Sequence, residues 1–142
     1  MTRTAVWVAS ITGSAMLRID PRRNKVAREL RVPDGSVWLA GSGEAVWVSN
    51  GNSKTVTRID ARSNRRAATI AVGGTPADSG IVKGHLWVPN LMDGTLSRID
   101  PTTNTVVETI AVGQGPFVVP DHPSEVWSAS WGGTEVWRLL PG

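Results

Sequence analysis

The chain has 142 residues, 40% of them hydrophobic and 19% charged, with 15 Gly, 9 Pro and no Cys. This globular composition excludes a disulfide framework, a thiolate metal site and a cysteine nucleophile, and no apolar run approaches the ~20 residues of a membrane-spanning helix. The formal charge of +3 hides an asymmetry: residues 1–66 hold 12 Lys/Arg against 5 Asp/Glu, and residues 67–142 hold 3 against 7. The basic excess comes from Arg22, Arg23, Lys25, Arg28, Arg31, Arg62, Arg65 and Arg66. With no Tyr and a single Phe to stack on bases, nucleic acid is not the expected partner.

In chain order, Met1-Thr2-Arg3-Thr4 shows no signal-peptide pattern and runs into a strand around Trp7. Strands are then expected at Arg18-Ile19-Asp20, at 25–32, at 36–41 and around Trp47. The polar turn Asn50-Gly51-Asn52-Ser53-Lys54 precedes the β-branched strand Thr55-Val56-Thr57-Arg58-Ile59-Asp60. A second turn, Ala61-Arg62-Ser63-Asn64, leads to a strand over 66–72 in which Ala68, Ile70 and Val72 alternate. Gly73-Gly74-Thr75-Pro76 breaks it, and a weaker strand over 77–82 ends at Lys83-Gly84. The same order follows through Trp87, Arg98, 106–112, 116–121, Trp127 and a last strand at Val136-Trp137-Arg138-Leu139. No stretch shows a sustained helical period with caps. The expectation is an all-β chain of short antiparallel meanders.

Trp7, Trp47, Trp87 and Trp127 recur every 40 residues, and Arg18, Arg58, Arg98 and Arg138 follow each of them by 11. Four strands per period of this length make the unit of a β-propeller blade. The four Trp are expected to pack between blades. Arg18, Arg58 and Arg98 each precede an Asp by two positions, which puts both side chains on one strand face and suggests structural Arg–Asp pairs. Leu140 stands where the last Asp would be, leaving Arg138 to an anionic ligand or to solvent. The segment Leu96-Ser97-Arg98-Ile99-Asp100-Pro101 through Asn104, Val106, Ile110 and Val112-Gly113 resembles the YVTN family of propeller repeats. The Trp-Val steps of this tryptophan-rich chain also look like blades of the virginiamycin B lyase-like family, and the resemblance spans the whole chain.

That resemblance implies blades whose strands run from the central channel outward. It makes 36–41, 77–82 and 116–121 the inner strands and 25–32, 66–72 and 106–112 the outermost, with the Trp and Arg strands second and third. The chain is then a single partial propeller domain over 1–142, with blades at 1–32 (incomplete), 36–72, 76–112 and 116–142 (incomplete). This is three and a half four-stranded blades, half a ring. It reads as a C-terminal fragment of a propeller of about 6–8 blades, with Met1 an internal or misplaced start. A homodimer is the alternative way to close the ring, although two copies still lack outer and inner strands.

In such propellers ligands meet the face that carries the second-to-third and outer-to-inner loops. The residues offered there are Asp34, Asn50, Asn52, Asn90 and Asp93, with Trp131 in the last loop and Trp38, Asp78 and Phe117 near the starts of inner strands. Asn and Asp also recur in turns for their tolerance of left-handed backbone, whereas Trp131 and Phe117 break the repeat. His85 and His122 fall on the opposite face without companions at metal-ligand spacing. Virginiamycin B lyases use a Glu-x-His pair with magnesium; no Glu-x-His occurs here, so neither catalytic residues, a metal nor another cofactor is assigned. The favoured reading is a non-catalytic repeat module that binds a protein or small ligand on its loop face. The alternative is a propeller enzyme of the lyase or lactone-hydrolase type whose catalytic residues lie mostly in a missing N-terminal half. Relatives of this type are often exported or at the cell surface, and the compartment is left open.

Overall fold

A computed structural model gives the structure of residues 5–142; the expectation about the start at Met1 lies outside these described residues. The described chain is all-β, with four antiparallel sheets. Blade 1 comprises β1 (Val6–Ala9), β2 (Ala15–Asp20) and β3 (Lys25–Arg31), and blade 2 comprises β4 (Ser36–Gly41), β5 (Ala45–Asn50), β6 (Thr55–Asp60) and β7 (Arg65–Ala71). Blade 3 is built from β8 (Gly80–Val82), β9 (His85–Asn90), β10 (Thr95–Asp100) and β11 (Thr105–Ala111), and blade 4 from β12 (Pro116–Val118), β13 (Val126–Ser130) and β14 (Val136–Leu139).

Local chemistry closes each hairpin. In the β6–β7 turn the Asp60 carboxylate accepts the amides of Arg62 and Ser63 at 3.1 and 2.6 Å, and the Asn64 amide returns to the Asp60 carbonyl at 2.9 Å. Asn64 takes the left-handed conformation, as do Asn24 and Asn104 in the matching turns, which is where Asn is better tolerated than most residues. Asp20 and Asp100 cap their turns in the same way. The register then slips by one residue after Arg18, Arg58 and Arg98, a bulge that adds twist to each blade.

The expected Arg–Asp pairing acts only behind these caps: Arg18 and Arg58 add to the lowering of the Asp20 and Asp60 pKa values after the hydrogen bonds of the turns. Each Asp is held by the amides of its own turn, while the cross-strand register places Trp47 opposite Arg58, Trp87 opposite Arg98 and Trp127 opposite Arg138. The guanidinium carbons accordingly lie 5.4, 5.7 and 5.6 Å from the indole centroids, within cation–π range. Arg138 is also not left to a ligand or to solvent alone. Its Nε donates to Glu125 Oε2 at 3.2 Å, and a second nitrogen reaches Glu125 Oε1. This pairing raises the Arg138 pKa and, with the Trp127 indole N–H, lowers that of Glu125.

Core clusters sit between successive blades. Met16 and Val32 meet Val46, Val48 and Ile59, with Trp7 packed alongside. Trp47, Val56 and Ile70 meet Leu86, Val88 and Ile99. Trp87, Leu96 and Val112 meet Val119 and Val126, with Trp137 and Leu139 alongside. The rule is constant: the Trp face of one blade packs on the aliphatic face of the next.

The inner strands of blades 3 and 4 are shorter than 77–82 and 116–121. Their edges bond to each other instead: the Asp78 amide donates to the Phe117 carbonyl at 3.0 Å, and Val119 returns to the Asp78 carbonyl at 2.8 Å. Pro76 and Pro120 contribute no N–H with which to lengthen either strand. The backbones approach so closely that a Cβ on Gly80 would stand 2.1 Å from the Val119 carbonyl oxygen, so only glycine fits there.

Candidate functional site

The loop face is built from residues that do three different things. Asn50 and Asn90 end the second strands of blades 2 and 3 and are fully buried. The Asn50 carboxamide accepts from Ser36 Oγ at 2.6 Å and donates to Thr55 and Thr57 hydroxyls at 3.0 Å each. Asn90 accepts the Gly73 amide at 3.0 Å and donates to Thr95 and Ser97 hydroxyls at 2.9 Å each. Both side chains therefore act as latches within the blade. Each ties a second strand to the third strand and to the inner strand or the loop before it, and its hydrogen-bonding groups are already engaged.

Asp34, Asn52 and Asp93 stitch neighbouring loops together. Asn52 Nδ2 donates to Asp34 Oδ2 at 3.4 Å, and Asp93 Oδ2 accepts the Gly74 amide at 2.7 Å.

Trp38, Phe117 and Trp131 converge. The Trp38 and Phe117 rings meet edge-on with centroids 5.1 Å apart, and Phe117 and Trp131 meet at 4.6 Å with tilted planes. These residues come from β4, β12 and the loop after β13, and each departs from its repeat. Forty residues away, Trp38 is answered by Asp78, Phe117 by Ala77 and Trp131 by Leu91. Trp131 is 67% exposed, so the cluster presents an aromatic surface to solvent.

Asp78 lies next to this cluster along the backbone, paired with the Phe117–Val119 segment. Burial pushes its carboxyl pKa up, and the nearby Asp121 carboxylate adds to the shift.

Beside Trp131, between the loops of blades 3 and 4, a cleft of about 1200 Å³ is lined by Met92, Asp93, Gln114, Trp131 and Glu135 among others. No Lys or Arg lines it. Sequence reasoning passed over Met92 and Glu135; the available signal was Met92, a large apolar residue in a loop where the repeat has Thr12, Asn52 and Gly132. A smaller cleft of about 490 Å³ on the opposite side includes Lys83, Asp121 and His122.

The histidines serve the fold. His122 Nδ1 accepts the amides of Ser124 and Glu125 at 3.3 and 3.0 Å, and the His85 ring contacts the Lys83 carbonyl and Arg98. Among the described residues no group of three or more His, Asp or Glu side chains could hold a metal ion.

No family model and no curated protein matches the chain. Solved structures do. Hydrazine synthase of Kuenenia stuttgartiensis matches with a TM-score of 0.88 at 21% identity, covering 96% of this chain and 43% of that one. A catalytically inactive virginiamycin B lyase from Staphylococcus aureus, solved with quinupristin, matches with a TM-score of 0.79 at 21% identity, covering 96% and 48%. The WD40 repeats of RRP9 match with a TM-score of 0.81 at 12% identity, covering 96% and 47%. The chain thus spans about half the length of these structures. At such identities the likeness is one of fold, and it joins an enzyme and a set of WD40 repeats alike. On the sheet order and these likenesses, the chain has a β-propeller fold, its described residues forming four consecutive blades, the first and last three-stranded.

Proposed function

We propose that this chain is a non-catalytic propeller module that binds a protein or small ligand across its loop face. Trp38, Phe117 and Trp131 would form the contact surface and the adjoining cleft would hold the rest of the ligand. The observation that carries the reading is the meeting of three aromatic rings that break the repeat, the half-buried Trp38 and Phe117 with the exposed Trp131. Exposed aromatic anchors next to a cleft are the usual centres of binding energy. Met92, Asp93 and Glu135 with no basic lining favour a ligand that offers aromatic or cationic groups. The test is titration of the chain with short Arg- and Trp-containing peptides, followed by tryptophan fluorescence and calorimetry. Trp38→Ala and Trp131→Ala should each weaken binding at least tenfold. Affinity undiminished in both variants would remove the cluster from the ligand site.

A second reading is a propeller enzyme of the lyase or lactone-hydrolase type. Asp78 favours it, because a carboxyl with a raised pKa in a partly buried site is suited to proton transfer. Turnover of a lactone or cyclic ester that is abolished by Asp78→Asn would support this reading. Turnover that survives the substitution would exclude Asp78 as the acid or base.

A further inference from the structure

Blades 3 and 4 finish their loop face in different ways. In blade 3 two side chains hold the amides of the incoming connection: Asn90 Oδ1 accepts the Gly73 N–H at 3.0 Å, and Asp93 Oδ2 accepts the Gly74 N–H at 2.7 Å. The matching connection into blade 4 is Gly113-Gln114, and the counterparts of Asn90 and Asp93 are Ser130 and Gly133. Gly133 has no side chain to reach back, and the Ser130 hydroxyl donates to the Gln114 carbonyl at 3.1 Å instead. Among the described residues no group accepts the Gly113 or Gln114 amide. Blade 2 meets the same situation differently: Pro33 carries no N–H, and Asn50 accepts from Ser36.

The backbone around the two connections is otherwise alike. Leu91 N–H donates to the Thr75 carbonyl at 3.1 Å and Trp131 N–H to the Gly115 carbonyl at 2.7 Å, and Thr75 and Gly115 share left-handed φ values of 53° and 69°. Gly113, without a latch, has a φ of 96° that Gly73 does not share. Gly74 is buried, whereas Gly113 and Gln114 are exposed and line the cleft beside Trp131. All of these residues belong to loops that are complete within the described chain. Blade 3 thus shows what such amides bind, the oxygen of a carboxamide and that of a carboxylate. The cleft decides between the two. Asp93 and Glu135 line it and no Lys or Arg does, so a ligand anion is repelled and an N–H donor attracted.

We propose that Gly113 and Gln114 form an amide-recognition subsite. Their N–H groups take the carbonyl oxygen of a peptide or carboxamide group of the ligand, while Asp93 or Glu135 accepts its N–H. An amide is the neutral group that offers both an acceptor and a donor, and successive backbone N–H groups beside left-handed residues make a concavity for such an acceptor. The subsite rests on the binding reading above and names its ligand class, a peptide-bond-bearing group held next to Trp131.

The experiment titrates the isotope-labelled full chain with N-acetyl-tryptophanamide, and separately with indole, which has the ring without the amides, and follows the N–H resonances. N-acetyl-tryptophanamide should move the Gly113 and Gln114 signals downfield together with the Trp131 indole signal. Indole should move the Trp131 signal and leave the two amides in place. The double variant Ser130→Asn/Gly133→Asp gives blade 4 the latches of blade 3; both positions are changed together because a Cβ on Gly133 crowds the Ser130 side chain. It should weaken N-acetyl-tryptophanamide at least tenfold and indole less than twofold, with circular dichroism confirming β structure. If that variant fails to fold, the shifts in the unaltered chain decide alone. The inference is overturned if N-acetyl-tryptophanamide binds without moving Gly113 and Gln114, if indole moves them as far, or if the folded double variant keeps its affinity. In each of these cases binding at Trp131 stands. No response to either probe also overturns it, and the Arg- and Trp-containing peptides above then judge the binding reading by themselves.

Discussion

Blades 3 and 4 are written on one 40-residue template, yet Trp87 is buried and Trp127 is open. Both indoles have the same cross-strand Arg, at 5.7 and 5.6 Å. What differs is the neighbour: blade 4 covers Trp87, and nothing among the described residues covers Trp127 in the same way. In a stacked repeat the energy of a repeated position resides in the interface more than in the blade.

The most severe way to break this comparison is truncation of the two tryptophans. Trp87→Ala should cost about 3–5 kcal/mol, the usual loss for emptying a large buried site, and Trp127→Ala about 1 kcal/mol, typical of a half-exposed position. Urea denaturation at low protein concentration measures both. Equal losses would mean that the blade itself, and not its neighbour, sets the value.

A smaller effect separates buried latches from exposed stitches. Asn90→Ala leaves the Gly73 amide and the Thr95 and Ser97 hydroxyls without their partner, and should cost about 1–3 kcal/mol. Asn52→Ala, which removes an exposed 3.4 Å side-chain hydrogen bond to Asp34, should change stability by less than about 0.5 kcal/mol. Thermal melts of the two variants check the contrast.

Below these comes the Trp–Arg pair. Arg58→Met retains the apolar stem over Trp47 and removes the cation, for a loss of about 0.5–1 kcal/mol. A loss that vanishes at high salt would point to long-range charge instead of the ring contact.

The smallest effect is in pH, and here two sets of carboxyls oppose each other. Asp20, Asp60 and Asp100 have pKa values below the ordinary 3.8, lowered first by hydrogen bonds from Arg22, Ser63 and Thr102. Their contribution to stability is full above 3.8 and is lost as pH falls through the lowered values. Asp78 has the opposite sign: its folded pKa is raised, so stability is lost as pH climbs from 3.8 through that raised value. Asp78→Asn should therefore stabilise the chain at neutral pH and have no stabilising effect below the ordinary carboxyl pKa. Melting curves across about pH 2 to 7 follow both sets, and a variant no more stable than the parent at neutral pH would refute the sign given to Asp78.

Much of the fold was legible because its causes are local. The Asp-x-x-x-Asn turns, the β-branched third strands and the 40-residue Trp period can all be read from neighbours in sequence. The site was legible only in part. Trp131 and Phe117 stood out as bulky residues breaking a repeat, but that Trp38 joins them depends on inner strands 79 residues apart converging on one channel. Asn50 and Asn90 looked like loop residues open to ligand. Burial at a strand end makes them latches instead, since a buried carboxamide must have its partners. Spacing along the strand shows the Asp two residues from Arg18, Arg58 and Arg98, whereas the Trp ring across from each follows only from the sheet register.

The sequence by itself determined the strands and turns, which follow from backbone preferences and side-chain alternation over short windows, and the blade unit, which follows from the 40-residue period. Only the tertiary structure decided which tryptophans are covered, which polar side chains are already engaged, and which three aromatic rings share one exposed surface. Those outcomes depend on contacts between residues distant in the chain, brought together when twisted sheets stack around a common axis.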